Sequence, residues 1–438
     1  MHEILQAALA AVDPFAAVTR SLQRSDHRLK VAGVTYDLAA VRRVLVLGAG
    51  KAGAPMAQAV EQALGERVGE GLVVVKDGHG GATHKVQIVE AAHPVPNAAG
   101  LAAGQELMAL AATATAGDLA LVLLSGGGSA LLEALPASLT IESLQATTTA
   151  LLRSGAPIQA INALRKHLSR LKGGQLARLL YPAQVLTLIL SDVVGSPPDV
   201  IASGPTTPDR STWQDVAAVL AHYDLWEALP AEVAGYVRRG LRGEWGETPK
   251  PGDPLFARCQ TVIVGDNRTA ALAAARTAQR LGWQTVLLTT ALEGEAAEAA
   301  RFVAAIAREI RTFDSPVAAP ACVLLGGETT VTLRGEIGEG GRNQELALAA
   351  AVALDGMPGV TLASLATDGS DGPTAAAGGL VDGATLARGR ALGLDAGEAL
   401  RRHDALPYLR ATGDLLVTGP TRTNVNDLIV LLVEPLAV

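Results

Sequence analysis

The chain has 438 residues, of which 49% are hydrophobic, 18% charged and 3% aromatic, with 47 glycines and a net charge of -7. That length passes the size at which a single core stops growing, so two domains are expected and disorder is excluded. Without a basic run there is no counterion-release footprint for nucleic acid, sparse aromatics offer bases no stacking platform, and no apolar run reaches the roughly 18 residues that span a bilayer.

The N-terminal stretch carries Glu3 where a secretory signal has Lys or Arg, and Cys259 and Cys322 are the only cysteines, which fits a reducing cytoplasm. From residue 41 onward, short apolar runs ending at glycine alternate with helical stretches: VRRVLVLG, GLVVVKDG, LALVLLSGGG, AQVLTLILSD, QTVIVGD, WQTVLLTT, ACVLLGGE and VTLASLATDG. Apolar residues at consecutive positions predict strands covered on both faces, and the alternation predicts a doubly wound, parallel α/β architecture. Pro249, Pro251 and Pro254 form a stiff connector, so the boundary is placed near residue 250, giving domains 1–250 and 251–438.

The first strand ends in Gly48-Ala49-Gly50-Lys51-Ala52-Gly53, a strand-to-helix turn whose free N–H groups suit an anion. The spacing satisfies GxGxxG, but the acid that would hold a ribose is limited to Asp77, later than the usual spacing. A lysine in such a turn has little structural use, so Lys51 is read as the cation for a phosphate or carboxylate. Ser125-Gly126-Gly127-Gly128-Ser129 repeats the design at a second strand end, with glycines for close approach and two hydroxyls for phosphate oxygens.

On the predicted helix that follows, Asn162, Lys166, Ser169 and Gly173 lie opposite Ile161, Leu164, Leu168 and Leu171, a polar stripe that lines a cleft or faces solvent. His167, between the two faces, reads as a structural histidine. Ser191 and Asp192 close a buried strand, where a carboxylate holds Mg²⁺ or accepts a hydroxyl proton. In the second half, Glu328 follows a strand, and Arg342 and Asn343 open a helix. Arg342 opposes that helix's dipole, so a bound phosphate or carboxylate is expected to select it. Asp368 and Asp371 lie three apart in a glycine loop that either binds Mg²⁺ or forms an Asx turn, and Asn424 lies in a polar segment before the last strand.

Two glycine turns, two cations aimed at anions and carboxylates suited to Mg²⁺ are the inventory of phosphoryl transfer. LLSGGGSALL, INALRKHLSRLKGGQLA, LSDVVGSPPDVIASGPTTPD, LLGGETTVTLRG with GEGGRNQELALA, ATDGSDGPTAAAG and GPTRTNVNDLIVLL resemble, in this order, the glycerate 2-kinases whose C-terminal part is the MOFRL domain. The resemblance implies a Rossmann-like N-terminal domain, a smaller α/β MOFRL domain and an active site in the cleft between them. It also implies transfer of the ATP γ-phosphoryl group to the 2-hydroxyl of D-glycerate, with Mg²⁺ on the nucleotide and Lys51 and Arg342 as the essential cations. Arg422 stands where many relatives are expected to have glycine. D-Glycerate and ATP are the expected partners, and a homodimer is compatible with the chain. The alternative is an NAD(P)H-dependent reductase of hydroxypyruvate or tartronate semialdehyde, supported by GxGxxG.

Overall fold

The computed structural model describes residues 1–435. The chain forms two compact units, one of residues 14–264 and one of residues 1–13 with 265–438. The Pro-rich stretch near residue 250 therefore does not separate them. Strand Cys259–Gly265 joins the far edge of the first unit's sheet, beside strand Gln184–Leu190, which carries the division past the prolines. Helix His2–Ala11 packs on helix Asn267–Arg280 of the second unit, and the Thr423 hydroxyl donates to the Val12 carbonyl at 2.7 Å.

The first unit has a six-stranded sheet in the order Val86–Ala91, Val68–Lys76, Arg43–Ala49, Asp118–Leu124, Gln184–Leu190, Cys259–Gly265. The first five are parallel. Their leucines and valines are almost wholly buried, as expected for strands with helices on both faces. The chain enters at Arg43–Ala49, moves outward through two strands, then returns to lay Asp118–Leu124 on the other side. That reversal opens a crevice at the carboxyl ends of Arg43–Ala49 and Asp118–Leu124, the place where open α/β sheets take ligands. A separate apolar cluster around Trp213 joins the helices Ile141–Arg153, Ile158–Leu168, Trp213–His222 and Ala231–Leu241.

The second unit departs from the parallel expectation. Its sheet runs Gln284–Leu292, Ala321–Gly327, Asp427–Val433, Val360–Ala366, Gly378–Asp382, Leu415–Leu416, and only the first pair is parallel. Burial on both faces gives a continuous apolar run in either orientation, so the pattern in the sequence did not distinguish them. The last strand is inserted antiparallel between two neighbours, which brings its first residue, Asp427, opposite Gly327 and Ala366 at their final residues.

Candidate active site

In the first unit the two glycine turns are stitched together at the crevice. The Lys51 amide donates to the Gly126 carbonyl at 2.9 Å, the Ser125 amide to the Ala49 carbonyl at 3.2 Å, and the Ala52 amide to the Ser125 hydroxyl at 3.0 Å. Several glycines serve this close approach instead of opening space for a ligand. A Cβ on Gly48 would lie 2.2 Å from the Leu123 carbonyl oxygen, and one on Gly50, at φ +139°, would lie 2.2 Å from Ser125 Oγ. Gly128 is closed off by the Ala202 methyl at 2.8 Å, and buried Ser125 already accepts from Ala52. Gly48, Gly50, Gly128 and Ser125 are thus packing residues, a correction to their reading as ligand contacts.

Gly126 is covered by the Asp192 carboxylate, whose Oδ2 lies 2.1 Å from where a Cβ would be. Asp192 is therefore seated on the glycine turn at the exit of strand Gln184–Leu190. Gly127, left-handed at φ +83°, turns toward His93 and the Lys51 stem; a Cβ there would meet the His93 ring at 3.0 Å and Lys51 Cγ at 3.6 Å. Lys51 and Lys76 make no side-chain hydrogen bond or ion pair among the described residues. Burial and the charges of Lys51, Lys76 and His79 push the His93 imidazole down to about 4, which keeps it neutral. Lys76 and His93 were not found from the sequence. The signal was present, since Lys76 ends the strand beside the first glycine turn.

Ser129 extends into a chain of hydrogen bonds, its Oγ 3.1 Å from Ser203 Oγ, which donates to Asn162 Oδ1 at 3.1 Å. Asn162 and Lys166 are buried, so they do not form a solvated face. Lys166 Nζ pairs with the buried Asp209 carboxylate at 3.2 Å, because an acid taken out of water there requires a cation. Both residues are therefore corrected from ligand contacts to internal structure. His167 is structural as expected, held by the Ala163 carbonyl at 2.8 Å and Glu247 at 3.1 Å. Lys172, wholly buried, pairs with Glu133, an ion pair the sequence did not disclose.

In the second unit Arg342 opens helix Arg342–Ala353. The anion that selects it is a protein carboxylate: Arg342 Nε and Nη2 donate to Asp427 Oδ2 and Oδ1 at 2.6 and 3.0 Å, and Nη1 lies 3.2 Å from Glu328 Oε1. Burial pushes the Asp427 carboxyl up to about 6 against the pull of Arg342. The Arg342 guanidinium is held charged by its acidic neighbours, Asp427 first. Asp371 satisfies the helix N-terminus: its carboxylate accepts from the Asn343 and Gln344 amides at 3.1 and 2.9 Å and from both their side chains. That use leaves no oxygen for a metal and corrects its reading as a ligand. Asn343 is buried too, its Oδ1 accepting from Ser364 at 2.6 Å, so it is no substrate contact.

Asp368 closes an Asx turn through Oδ1, which accepts from the Ser370 amide at 3.0 Å, and its Oδ2 takes no hydrogen bond among the described residues. Asn424 Oδ1 accepts from the Asn426 amide at 3.1 Å in the turn that delivers Asp427 to the sheet. Among the described residues no group of three His, Cys, Asp or Glu has the arrangement to hold a metal, and no helix is long and apolar enough to cross a membrane. Mg²⁺ needs less than such a group, since it keeps several waters and binds one or two carboxylates with substrate phosphates; Asp192 in the first unit and Asp368 in the second are each donors of that type, and Asp371 is not.

An open doubly wound unit with a lysine at its switch point, followed by a mixed-sheet unit carrying a half-buried arginine fork on a buried carboxylate, defines a two-unit α/β class. A family model described as a domain of unknown function, DUF4147, matches residues 1–238, and the MOFRL family model matches residues 321–427. A glycerate 2-kinase of Pyrococcus horikoshii is 40% identical over 97% of this chain and 95% of its own length, and a D-glycerate 2-kinase of Thermotoga maritima is 41% identical over 98% and 96%. A protein of Agrobacterium vitis named putative hydroxypyruvate reductase is 41% identical over 99% and 94%. The crystal structure of a glycerate kinase from Thermotoga maritima superposes with a TM-score of 0.87 at 40% identity, covering 98% of each chain. The chain belongs to the glycerate 2-kinase family that carries the MOFRL domain.

Proposed function

We propose that the protein transfers the γ-phosphoryl group of ATP to the 2-hydroxyl of D-glycerate. A bond forms between that oxygen and the γ-phosphorus, the bond from the γ-phosphorus to the β,γ-bridging oxygen breaks, and ADP leaves. The hydroxyl proton passes to the Asp192 carboxylate, which is seated on Gly126 beside the crevice. The observation that carries this reading is Lys51: an ammonium at the switch point with no hydrogen-bond or ion-pair partner for its side chain among the described residues, next to Lys76 and a neutral His93. Unpaired cations of this kind offset charge on a transferring phosphoryl group, and the reaction otherwise asks chiefly for positioning.

Arg342 contributes through the edge of its guanidinium not taken by Asp427. Mg²⁺, when bound, neutralises charge on the β- and γ-phosphates, and Asp368 is the carboxylate of the second unit left to hold it. Gly127, still open, and Ser129 stand beside Lys51 as the polar edge of the crevice in the first unit.

The Agrobacterium relative's name favours a second reading, hydride transfer to hydroxypyruvate. In the dinucleotide fingerprint the second glycine opens the turn to a pyrophosphate, and here Ser125 fills that space against Gly50. Incubation with D-glycerate, ATP and Mg²⁺, followed by phosphorus NMR of the product, tests the proposal. A 2-phosphoglycerate resonance with stoichiometric ADP is expected. NADH oxidation on hydroxypyruvate without any ADP release would overturn it.

A further inference from the structure

The second unit contains a cavity of about 440 Å³ between the loop preceding Arg342 and the segment at Pro373 and His403. Its wall is formed by Leu333, Ile337 and Pro373, and Arg342 and Glu328 also line it. Leu333 is 54% exposed and Ile337 60%, although the unit buries most of its other aliphatic side chains. A three-carbon acid with a polar group on every carbon gains nothing from such a wall. A ligand with a flat apolar body and a few hydroxyls gains from all of it. We infer that this cavity receives the nucleoside end of the phosphoryl donor, its base against Leu333 and Ile337 and its ribose hydroxyls donating to Glu328.

The far side of the cavity is pre-formed. His403, at φ +51°, is locked between two partners: its Nδ1 lies 2.9 Å from Glu345, and its Nε2 accepts from the Arg334 amide at 3.4 Å. Because a backbone amide can only donate, Nε2 is the acceptor and the imidazole proton sits on Nδ1, facing Glu345. The same contact ties the loop that carries Leu333 and Ile337 to the fixed His403. Binding then costs little ordering of that wall.

The inference rests on the kinase reading, and the experiment separates the two. Full-length Leu333→Asp and Ile337→Asp would be titrated with a fluorescent N-methylanthraniloyl ADP and assayed for KM of ATP and of D-glycerate. Because both side chains are more than half exposed, the variants are expected to melt with the wild type. If either does not, Leu333→Ser and Ile337→Ser replace it. Expected is a weakening of nucleotide binding and a rise in KM for ATP of about tenfold or more, the loss of one aliphatic contact on a base, with KM for D-glycerate within about twofold of wild type. Unchanged nucleotide affinity, or a rise confined to KM for D-glycerate, would overturn the assignment. A wild type that binds the nucleotide, loses it in the variants and yet phosphorylates no glycerate would uphold the cavity and sink the kinase reading.

Discussion

Arg342 carries two roles that a single alanine substitution confounds. Asp427 is buried, its side chain only 4% exposed, and its charge is balanced by a two-pronged contact from Arg342, itself 32% exposed. Removing the arginine strands that carboxylate, and breaking a buried pair from one side costs about 3–5 kcal/mol. Arg342→Ala is therefore expected to be destabilised by about that amount at pH 7.5, in addition to losing at least about a hundredfold in kcat. The pH dependence has a defined sign. Asp427 titrates near 6 in the fold against an ordinary 3.8, so its contribution to stability is present at low pH and is lost as pH rises through that window. Without Arg342 its carboxyl moves higher still, and the deficit of the variant shrinks as pH is lowered from 7.5 to 5.5. Adding Asp427→Asn removes the stranded charge and restores most of the stability but none of the turnover. Equilibrium urea unfolding followed by circular dichroism, paired with initial rates of ADP formation, reads both quantities. An Arg342→Ala variant as stable as wild type would refute the structural half of this reasoning, and recovered turnover in the double variant would refute the functional half.

Lys51→Ala provides the contrast: with no ion pair to break among the described residues, it should leave the unfolding free energy within about 0.5 kcal/mol while kcat falls by about 10²–10³, and full turnover would remove Lys51 from the reaction. Gly126→Ala places a methyl where the Asp192 carboxylate now lies, and the flexible end of that side chain is what gives way. The protein should fold with kcat reduced at least tenfold and KM for ATP little changed, so wild-type kcat would show that the seat of Asp192 is immaterial. His93 titrates near 4 in the fold against an ordinary 6.5, so its own contribution to stability is lost as pH falls below about 6.5, opposing the contribution of Asp427. His93→Gln should therefore gain stability relative to wild type as pH is lowered from 7.5 to 5, and parallel curves over that range would contradict the buried neutral imidazole.

Most strands of the two six-stranded sheets were legible because fully buried strands write themselves as unbroken apolar runs that stop at glycine, whereas the partly exposed Val86–Ala91 and the short Gly378–Asp382 were not. Strand direction was not, since Asp427–Val433 reads the same whether it runs with or against Ala321–Gly327. Lys51 stood out because nothing in a tight turn calls for an ammonium. Lys166 and Asn162 did not declare themselves, because a polar stripe spaced like a solvated helix face is also what a buried network looks like when its partners lie far off in sequence. The partner of Lys166 is Asp209, and that of Asn162 is Ser203. The expectation that a ligand anion selects Arg342 had the right physics and the wrong anion. Helix geometry announces the need for negative charge, while only the fold reveals that Asp427 meets it.

Helix His2–Ala11 precedes residues 14–264 in the chain, yet the surface it covers, helix Asn267–Arg280, follows them. The apolar side of that helix, with Ile4, Leu5 and Ala8, therefore finds its native cover only in chain that lies beyond residue 264. The second unit is thus discontinuous along the chain, its core closed by a segment that lies on the far side of the whole first unit in sequence.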